Sequence, residues 1–85
     1  MRIMLDILNA VKEEGNAKPT HILYRANLSH DRLTKYLDEL VAKGLIEVRQ
    51  QDEGNRYYSI TPKGVSFLVE IRKAQAFVEG FGIPL

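Results

Sequence analysis

The spacing of apolar residues changes twice along this sequence, and that change limits the possible folds more than any other feature. As far as Val41, apolar residues recur at intervals of three and four, which is the spacing of amphipathic helices. From Leu45 to Ile60 they alternate with polar residues, which is typical of strands. After Thr61-Pro62 the helical spacing returns. The pattern predicts a mainly α fold with a small β-hairpin, in the order helix, helix, helix, hairpin, helix.

Two helices are predicted before residue 28. The first runs from about residue 2 to 14, and Gly15-Asn16 after it favours a left-handed stop. The second begins at Lys18-Pro19-Thr20, because proline is favoured in the first turn of a helix, and it ends at Asn27.

The third helix, from about residue 30 to 43, has the clearest predicted boundary. Ser29 is a favoured N-cap, and its hydroxyl contributes about 1 kcal/mol. Leu28 and Leu33 have the spacing of a hydrophobic staple around that cap. Gly44 is suited to end the helix. The second and third helices are therefore joined by a very short turn.

The predicted hairpin covers residues 45–60. Residues 51–55 are polar and rich in turn formers, so we predict a five-residue loop there. Such a loop would pair Arg49 with Tyr57 across the two strands. Pairs of Ile46 with Ile60 and of Val48 with Tyr58 follow from the same register.

The chain has 85 residues, enough for one hydrophobic core. We expect a single structural domain, in which residues 1–61 form the helices and the hairpin. Residues 62–80 are predicted to be a C-terminal dimerisation helix, and residues 81–85 an apolar tail.

Composition excludes several classes of protein. A net charge of +1 argues against a polybasic or an acidic disordered chain, and the lack of cysteine excludes disulfides, thiolate metal sites and cysteine nucleophiles. No apolar stretch approaches the roughly 20 residues that cross a bilayer. Asp6 and Asn9 would interrupt the apolar centre of a signal peptide. We therefore expect a cytoplasmic protein whose fold starts at Met1, with no membrane partner.

No pattern predicts catalysis. His21 and His30 lie nine residues apart, with no cysteine or carboxylate at ligand spacing. Adjacent carboxylates such as Asp52-Glu53 are typical of a solvated surface. The glycines form no phosphate-binding cluster. We expect no enzyme activity, no metal and no cofactor.

The predicted order of elements is that of a winged helix-turn-helix, with residues 45–60 as the wing. Because the third helix is apolar on one side only, its polar side can enter the major groove of double-stranded DNA. The residues predicted to contact DNA on this helix are Ser29, His30, Arg32, Thr34 and Lys35. Those predicted to contact phosphates elsewhere are Arg49, Arg56 and Lys63. Residues 18–43 hold five basic and three acidic residues, so the positive excess lies there.

The tyrosines suit either a core or a platform for stacked bases. Tyr36 and Tyr58 follow the apolar spacing of their elements and are assigned to the core. Tyr57 is left unassigned.

The last helix carries two apolar lines. Val65, Leu68 and Val69 can face their own domain. The second line, here called the seam, has the alternating spacing of four and three of a coiled coil, and consists of Phe67, Ile71, Ala74, Val78 and Phe81. Because an exposed apolar line is costly, the seam predicts a homodimer. The alternative is that it packs on the first helix of a monomer.

Several segments match one known family. They are Tyr24-Arg25-Ala26-Asn27-Leu28-Ser29, Tyr36-Leu37, Gly44-Leu45-Ile46, Ile60-Thr61 and Lys63-Gly64. Over about residues 3–75 the chain resembles the small archaeal winged-helix DNA-binding proteins of the ten-kilodalton Sulfolobus type. The resemblance implies a dimer joined by a C-terminal antiparallel coiled coil, binding of double-stranded DNA, and a nucleoid-associated role in transcription regulation or chromosome organisation. It makes Ser29, Arg32, Lys35 and Arg56 the candidate contacts, and Ile71 and Ala74 the candidate seam.

Two other functions stay open at this point. The near-neutral charge favours a protein-interaction adaptor with little or no DNA affinity, docking through residues 81–85. A ligand sensor would need a pocket between the dimer helices, which no pattern in the sequence requires.

Overall fold

The computed structural model describes residues 2–52 and 55–82. In this part of the chain there are four helices, α1 (Arg2–Glu14), α2 (Pro19–Ala26), α3 (His30–Ala42) and α4 (Pro62–Gly80), and two strands, β1 (Ile46–Asp52) and β2 (Asn55–Ile60). The mainly α fold with a hairpin, in the predicted order, is confirmed.

The helix boundaries follow the predicted capping residues. Gly15 and Asn27, which come after α1 and α2, have left-handed backbones with φ of 80° and 53°. The Ser29 hydroxyl accepts a hydrogen bond from the amide of Arg32 at 3.4 Å, which caps α3. Gly44 after α3 has a φ of 75°. Local signals therefore determine where these helices start and stop.

The strands pair in the predicted register, but the predicted five-residue loop is wrong. Arg49 faces Tyr57, and Asp52 pairs with Asn55 after a register shift that follows Gln50. A β-bulge absorbs the extra residue of β1, and the pairing continues to Asp52 and Asn55. Glu53 and Gly54 lie outside the described residues.

A third segment joins the sheet, and the sequence analysis missed it. Ala17, between α1 and α2, forms an antiparallel bridge with Tyr58. The two residues exchange backbone hydrogen bonds of 2.8 and 2.9 Å. The Asn16 amide oxygen accepts a hydrogen bond from the Ser59 hydroxyl at 3.0 Å, which holds the same segment in place. The hairpin is therefore tied to the start of α2.

One hydrophobic core binds all the elements together. Its buried members are Leu5, Ile7, Leu8, Val11, Ala17, Ile22, Leu33, Leu37, Leu40, Leu45, Ile46, Tyr58 and Leu68. The predicted core position of Tyr58 is confirmed, and Tyr36 is half-buried against the cluster. Because Leu68 belongs to the cluster, the first half of α4 packs on the same core as the other helices.

The apolar lines of α4 differ in part from the prediction. Phe67 and Ile71, both assigned to the seam, pack partly against the core of their own chain. Val69, assigned to the domain side, is 43% exposed. Gly80 is the last residue of α4, and Gly82 after it has a φ of 79°. Residues 83–85 of the predicted tail lie outside the described residues. None of the helices in the described part of the chain is long and apolar enough to span a membrane.

Candidate nucleic-acid interface

Helix α3 is anchored on one side and open on the other. Leu33, Leu37 and Leu40 are buried. Arg32, Thr34 and Lys35 are exposed, as predicted. Within residues 2–52 and 55–82, neither Arg32 nor Lys35 forms an ion pair. Two cations on the solvent side of α3 are therefore available to an anionic partner.

The positive charge around α3 is smaller than the sequence count suggested. The guanidinium of Arg25 pairs with the Glu13 carboxylate of α1, and this hydrogen bond raises the pKa of Arg25 above its ordinary value. The ammonium of Lys43 lies 2.7 Å from a Glu39 carboxylate oxygen. Both cations are therefore paired with carboxylates of the same chain, which lowers the net positive charge around α3.

The exposed face of α3 also carries carboxylates. Asp31 and Asp38 are exposed, and their positions in the helix bring them to the same side as Lys35. This face is electrically balanced, with its cations toward the N-terminal half. Such a face offers discrete contacts rather than a broad positive field.

The small polar residues at the start of α3 have defined local partners. Ser29 Oγ accepts from a backbone amide, so its hydroxyl hydrogen is free to be donated elsewhere. Thr34 Oγ1 donates to the carbonyl oxygen of His30 at 3.0 Å. The His30 side chain is exposed.

The two wing arginines lie on opposite faces of the hairpin. Arg49 pairs across the ladder with Tyr57, whereas Arg56 pairs with Gln50. Because successive residues of a strand point to opposite faces, Arg56 lies on the face that packs against the helices. Arg49 lies on the outer face, where its guanidinium contacts the Glu47 carboxylate at 2.9 Å.

Lys63 has an intramolecular partner. Its ammonium donates a hydrogen bond of 2.9 Å to the carbonyl oxygen of Lys43, just after α3. Cations at this end of a helix satisfy the last carbonyl groups and the helix dipole. Helix α3 is about 20 Å long, so Ser29 at its N-terminus and the Lys63 ammonium near its C-terminus lie at opposite ends of it. A phosphate contact by Lys63 stays a prediction.

The later part of the seam is open to solvent. Ala74 and Val78 line a groove between α4 and α1, whose α1 side includes Leu5 and Asp6. Phe81 is 72% exposed. Sequence reasoning missed Phe77, which lies beside the seam, is 69% exposed, and has its ring centroid 5.1 Å from that of Phe81.

Sequence reasoning also missed Lys18. Its ammonium lies 5.8 Å from the centroid of the Tyr57 ring, on the outer face of the sheet. The sequence signal for a strand next to Lys18 is weak. It consists of the apolar residue Ala17 between the polar residues Asn16 and Lys18, and this alternation is too short to predict a strand.

The two histidines belong to different helices, His21 to α2 and His30 to α3. A Glu14 carboxylate oxygen is 3.8 Å from Nδ1 of the exposed His21. In the described ranges no three histidine, aspartate or glutamate residues are grouped so that they could hold a metal ion.

Comparison with solved structures gives several matches. The DNA-binding protein Sso10a-2 from Sulfolobus solfataricus is 29% identical, with a TM-score of 0.79 over 93% of this chain and 80% of that one. The transcriptional regulator BldR from the same organism is 25% identical, with a TM-score of 0.75 over 92% of this chain and 60% of its own.

A MarR variant from E. coli in complex with operator DNA is 19% identical, with a TM-score of 0.77 over 82% of this chain and 51% of its own. The chain thus spans only about half to three fifths of the lengths of MarR and BldR. At this identity, the MarR match shows the fold alone. The search of curated proteins found no match. Because residues 1–79 match the winged helix-turn-helix family and the structure has that fold, the chain belongs to the winged helix-turn-helix family.

Proposed function

We propose that this protein is a homodimeric regulator that binds double-stranded DNA rather than an enzyme. Helix α3 enters the major groove with Arg32 and Lys35 at base edges or phosphates. Ser29, His30 and Thr34 are the lesser donors at the same end of the helix. Arg56 contacts the backbone from the wing, on the face of the hairpin that packs against the helices.

One observation carries this proposal. The buried leucines of α3 hold one side of the helix in the core, while Arg32 and Lys35 are exposed without an ion-pair partner in the described part of the chain. An α-helix fits the major groove, and arginine and lysine are the residues that most often contact guanine edges and phosphates.

The comparisons support the same partner. Sso10a-2 is a DNA-binding protein and BldR is a transcriptional regulator. Both matches cover more than nine tenths of this chain, so α3 and the wing fall within the shared fold.

The open groove between α1 and α4 supports the dimer. Ala74 and Val78 face this groove without filling it, and the exposed Phe77 and Phe81 lie at the C-terminal end of α4. A two-fold interface brings the same patch together from both subunits, so the aromatic pair of one subunit can cover the groove of the other. Removing these side chains from water is the driving force.

Salt dependence tests the DNA proposal. We expect a fluorescent duplex to bind at low salt, and the logarithm of the association constant to fall linearly with the logarithm of salt concentration. The slope should be about −0.9 for each phosphate neutralised. Fluorescence anisotropy titrations at several salt concentrations give this slope. No binding at low salt, or binding indifferent to salt, contradicts the proposal.

A charge reversal tests the role of α3. The substitution Lys35→Glu should remove most of the affinity, because it places a third carboxylate between Asp31 and Asp38. The matched control is Lys73→Glu on α4, which changes the net charge equally at an exposed position. Equal losses in the two variants would mean that only total charge matters, and that α3 is not the binding helix.

A second candidate is the protein-interaction adaptor. Tyr24 on α2 is 86% exposed, and the solvent face of α3 is electrically balanced. Exposed tyrosines are enriched in protein interfaces. This function would be favoured if the protein bound a protein partner stably but showed no binding of duplex DNA at low salt.

A further inference from the structure

A row of three side chains crosses the outer face of the sheet. The bridge between Ala17 and Tyr58 places Lys18 beside Tyr57 at one edge. The hairpin register places Arg49 beside Tyr57 at the other edge. The order is cation, aromatic ring, cation, and we call this set the outer row. Adjacent strands lie about 4.8 Å apart, so the two cations originate from strands about 10 Å apart.

Two of these three side chains, Tyr57 and Lys18, have polar groups that are little used within the fold. Tyr58 is part of the hydrophobic core, but its neighbour Tyr57 is not. Within the ranges 2–52 and 55–82, the Tyr57 hydroxyl makes no hydrogen bond and the Lys18 ammonium makes no ion pair. The ammonium instead lies over the Tyr57 ring. The hydroxyl of Tyr57 and the ammonium of Lys18 can therefore donate hydrogen bonds to an external partner.

Arg49 can serve a second partner despite its ion pair. Its contact with Glu47 joins two side chains that are each about half exposed, at 58% and 48%. Such exposed pairs are weak, and a guanidinium has five N–H donors. With Glu47 included, the outer row and its neighbour still carry a net positive charge.

The chemistry of the outer row fits a chain of phosphates. A nucleic-acid backbone presents repeated charges, which suits two cations carried by separate strands on either side of Tyr57. The Tyr57 hydroxyl supplies a donor between the cations. Lys18 is also the N-cap residue of α2, and the positive end of that helix dipole favours an anion there. Helix α2 in turn packs against α3.

We infer that the outer row is a second phosphate-binding site, which holds the DNA backbone beside the stretch contacted by α3. This inference rests on the proposed DNA function and extends it to Lys18 and Tyr57, two residues that the sequence did not predict to contact DNA. We expect these contacts to position the DNA backbone and not to read base edges, so they should contribute equally to the binding of every duplex sequence.

Two conservative substitutions test the outer row. Lys18→Gln removes the charge, and Tyr57→Phe removes only the hydroxyl while keeping the ring. The probe is a fluorescent random-sequence 20-base-pair duplex, titrated by anisotropy at several salt concentrations. We expect Lys18→Gln to weaken binding about three- to tenfold and to reduce the salt slope by about 1. Tyr57→Phe should weaken binding with a smaller effect on the slope. The matched control Lys73→Gln should bind as the wild type does.

The outcomes separate this inference from the proposed function. If Lys18→Gln and Tyr57→Phe bind with wild-type affinity and slope while Lys35→Glu is weakened, the outer row is overturned and the DNA function stands. If the wild-type protein binds no duplex at low salt, both are overturned. Circular dichroism spectra that match the wild type in each variant exclude unfolding as the cause of a loss.

Discussion

At Gly64, α4 lies very close to the backbone of the rest of the chain. A Cβ atom at this position would lie 2.1 Å from the carbonyl oxygen of Leu45 and 2.7 Å from Cγ1 of Ile60. The first of these is a backbone atom, which cannot move aside as the end of a side chain does. The missing side chain therefore lets α4 pack directly on the start of β1.

This contact predicts the effect of adding one methyl group. Gly64→Ala should lower the free energy of unfolding by about 1–3 kcal/mol, because overpacking forces the backbone to shift. Gly80→Ala is the control, since nothing lies within 4 Å of a Cβ there, and alanine should raise helix stability by up to about 1 kcal/mol. Urea denaturation at a fixed protein concentration measures both. A Gly64→Ala variant as stable as the wild type would contradict the close approach.

At the scale of elements, Thr61 joins α4 to the end of α3. Its hydroxyl oxygen accepts a hydrogen bond from the amide of Gly64 at 3.0 Å. The same hydroxyl donates to the carbonyl oxygen of Gly44 at 2.6 Å. Among the described residues, the Ser29 side chain makes just the longer, exposed cap bond at the start of α3. The two helix caps therefore differ in how many elements they connect.

Comparison of the two caps tests this difference. Thr61→Val should lower the free energy of unfolding by about 1–2 kcal/mol, because it leaves both the Gly64 amide and the Gly44 carbonyl without this partner. Ser29→Ala should lower the free energy of unfolding by less than Thr61→Val does. Thr61→Ser, which keeps the hydroxyl, should retain most of the stability that Thr61→Val loses. Thermal unfolding followed by circular dichroism ranks the variants. A larger loss for Ser29→Ala than for Thr61→Val would refute the assignment.

At the scale of the whole molecule, the proposed DNA surface and the exposed apolar surface lie on different elements. The first is formed by α3 and the wing, and the second by the groove between α1 and α4 with the aromatic pair Phe77 and Phe81. The first half of α4 packs on the core, so α4 is tied to the domain that carries α3. A dimer formed through α4 would therefore set the separation of its two α3 helices.

A charge placed in the groove tests the dimer. Ala74→Glu should give a folded protein that sediments as a monomer, because a carboxylate would be buried at the interface without a partner. It should also bind DNA less tightly, since two linked sites bind with higher avidity than one. Ala76→Glu, an exposed change two residues away and outside the groove, should stay dimeric. Analytical ultracentrifugation decides between the outcomes, and a monomeric wild type would contradict the proposal.

The element boundaries and the hairpin register could be predicted because they depend on neighbouring residues. Ser29 caps α3, Asn27 ends α2 in a left-handed turn, and Arg49 faces Tyr57, all as expected. Capping, turn conformation and hydrophobic spacing depend on residues that are close together in the chain, so they can be predicted directly from the sequence. The exposure of Arg32 and Lys35 followed from the same helical spacing.

Contacts between distant segments were decided only by the tertiary structure. Arg25 pairs with Glu13, Lys63 binds the end of α3, and Ala17 joins the sheet and brings Lys18 to Tyr57. No local pattern encodes these pairs, because they depend on the directions in which the helices pack and on the path of the chain between them. The sequence by itself therefore determined the helices, the strands and the solvent face of α3. Packing determined which charges on that surface have an ion-pair partner among the described residues.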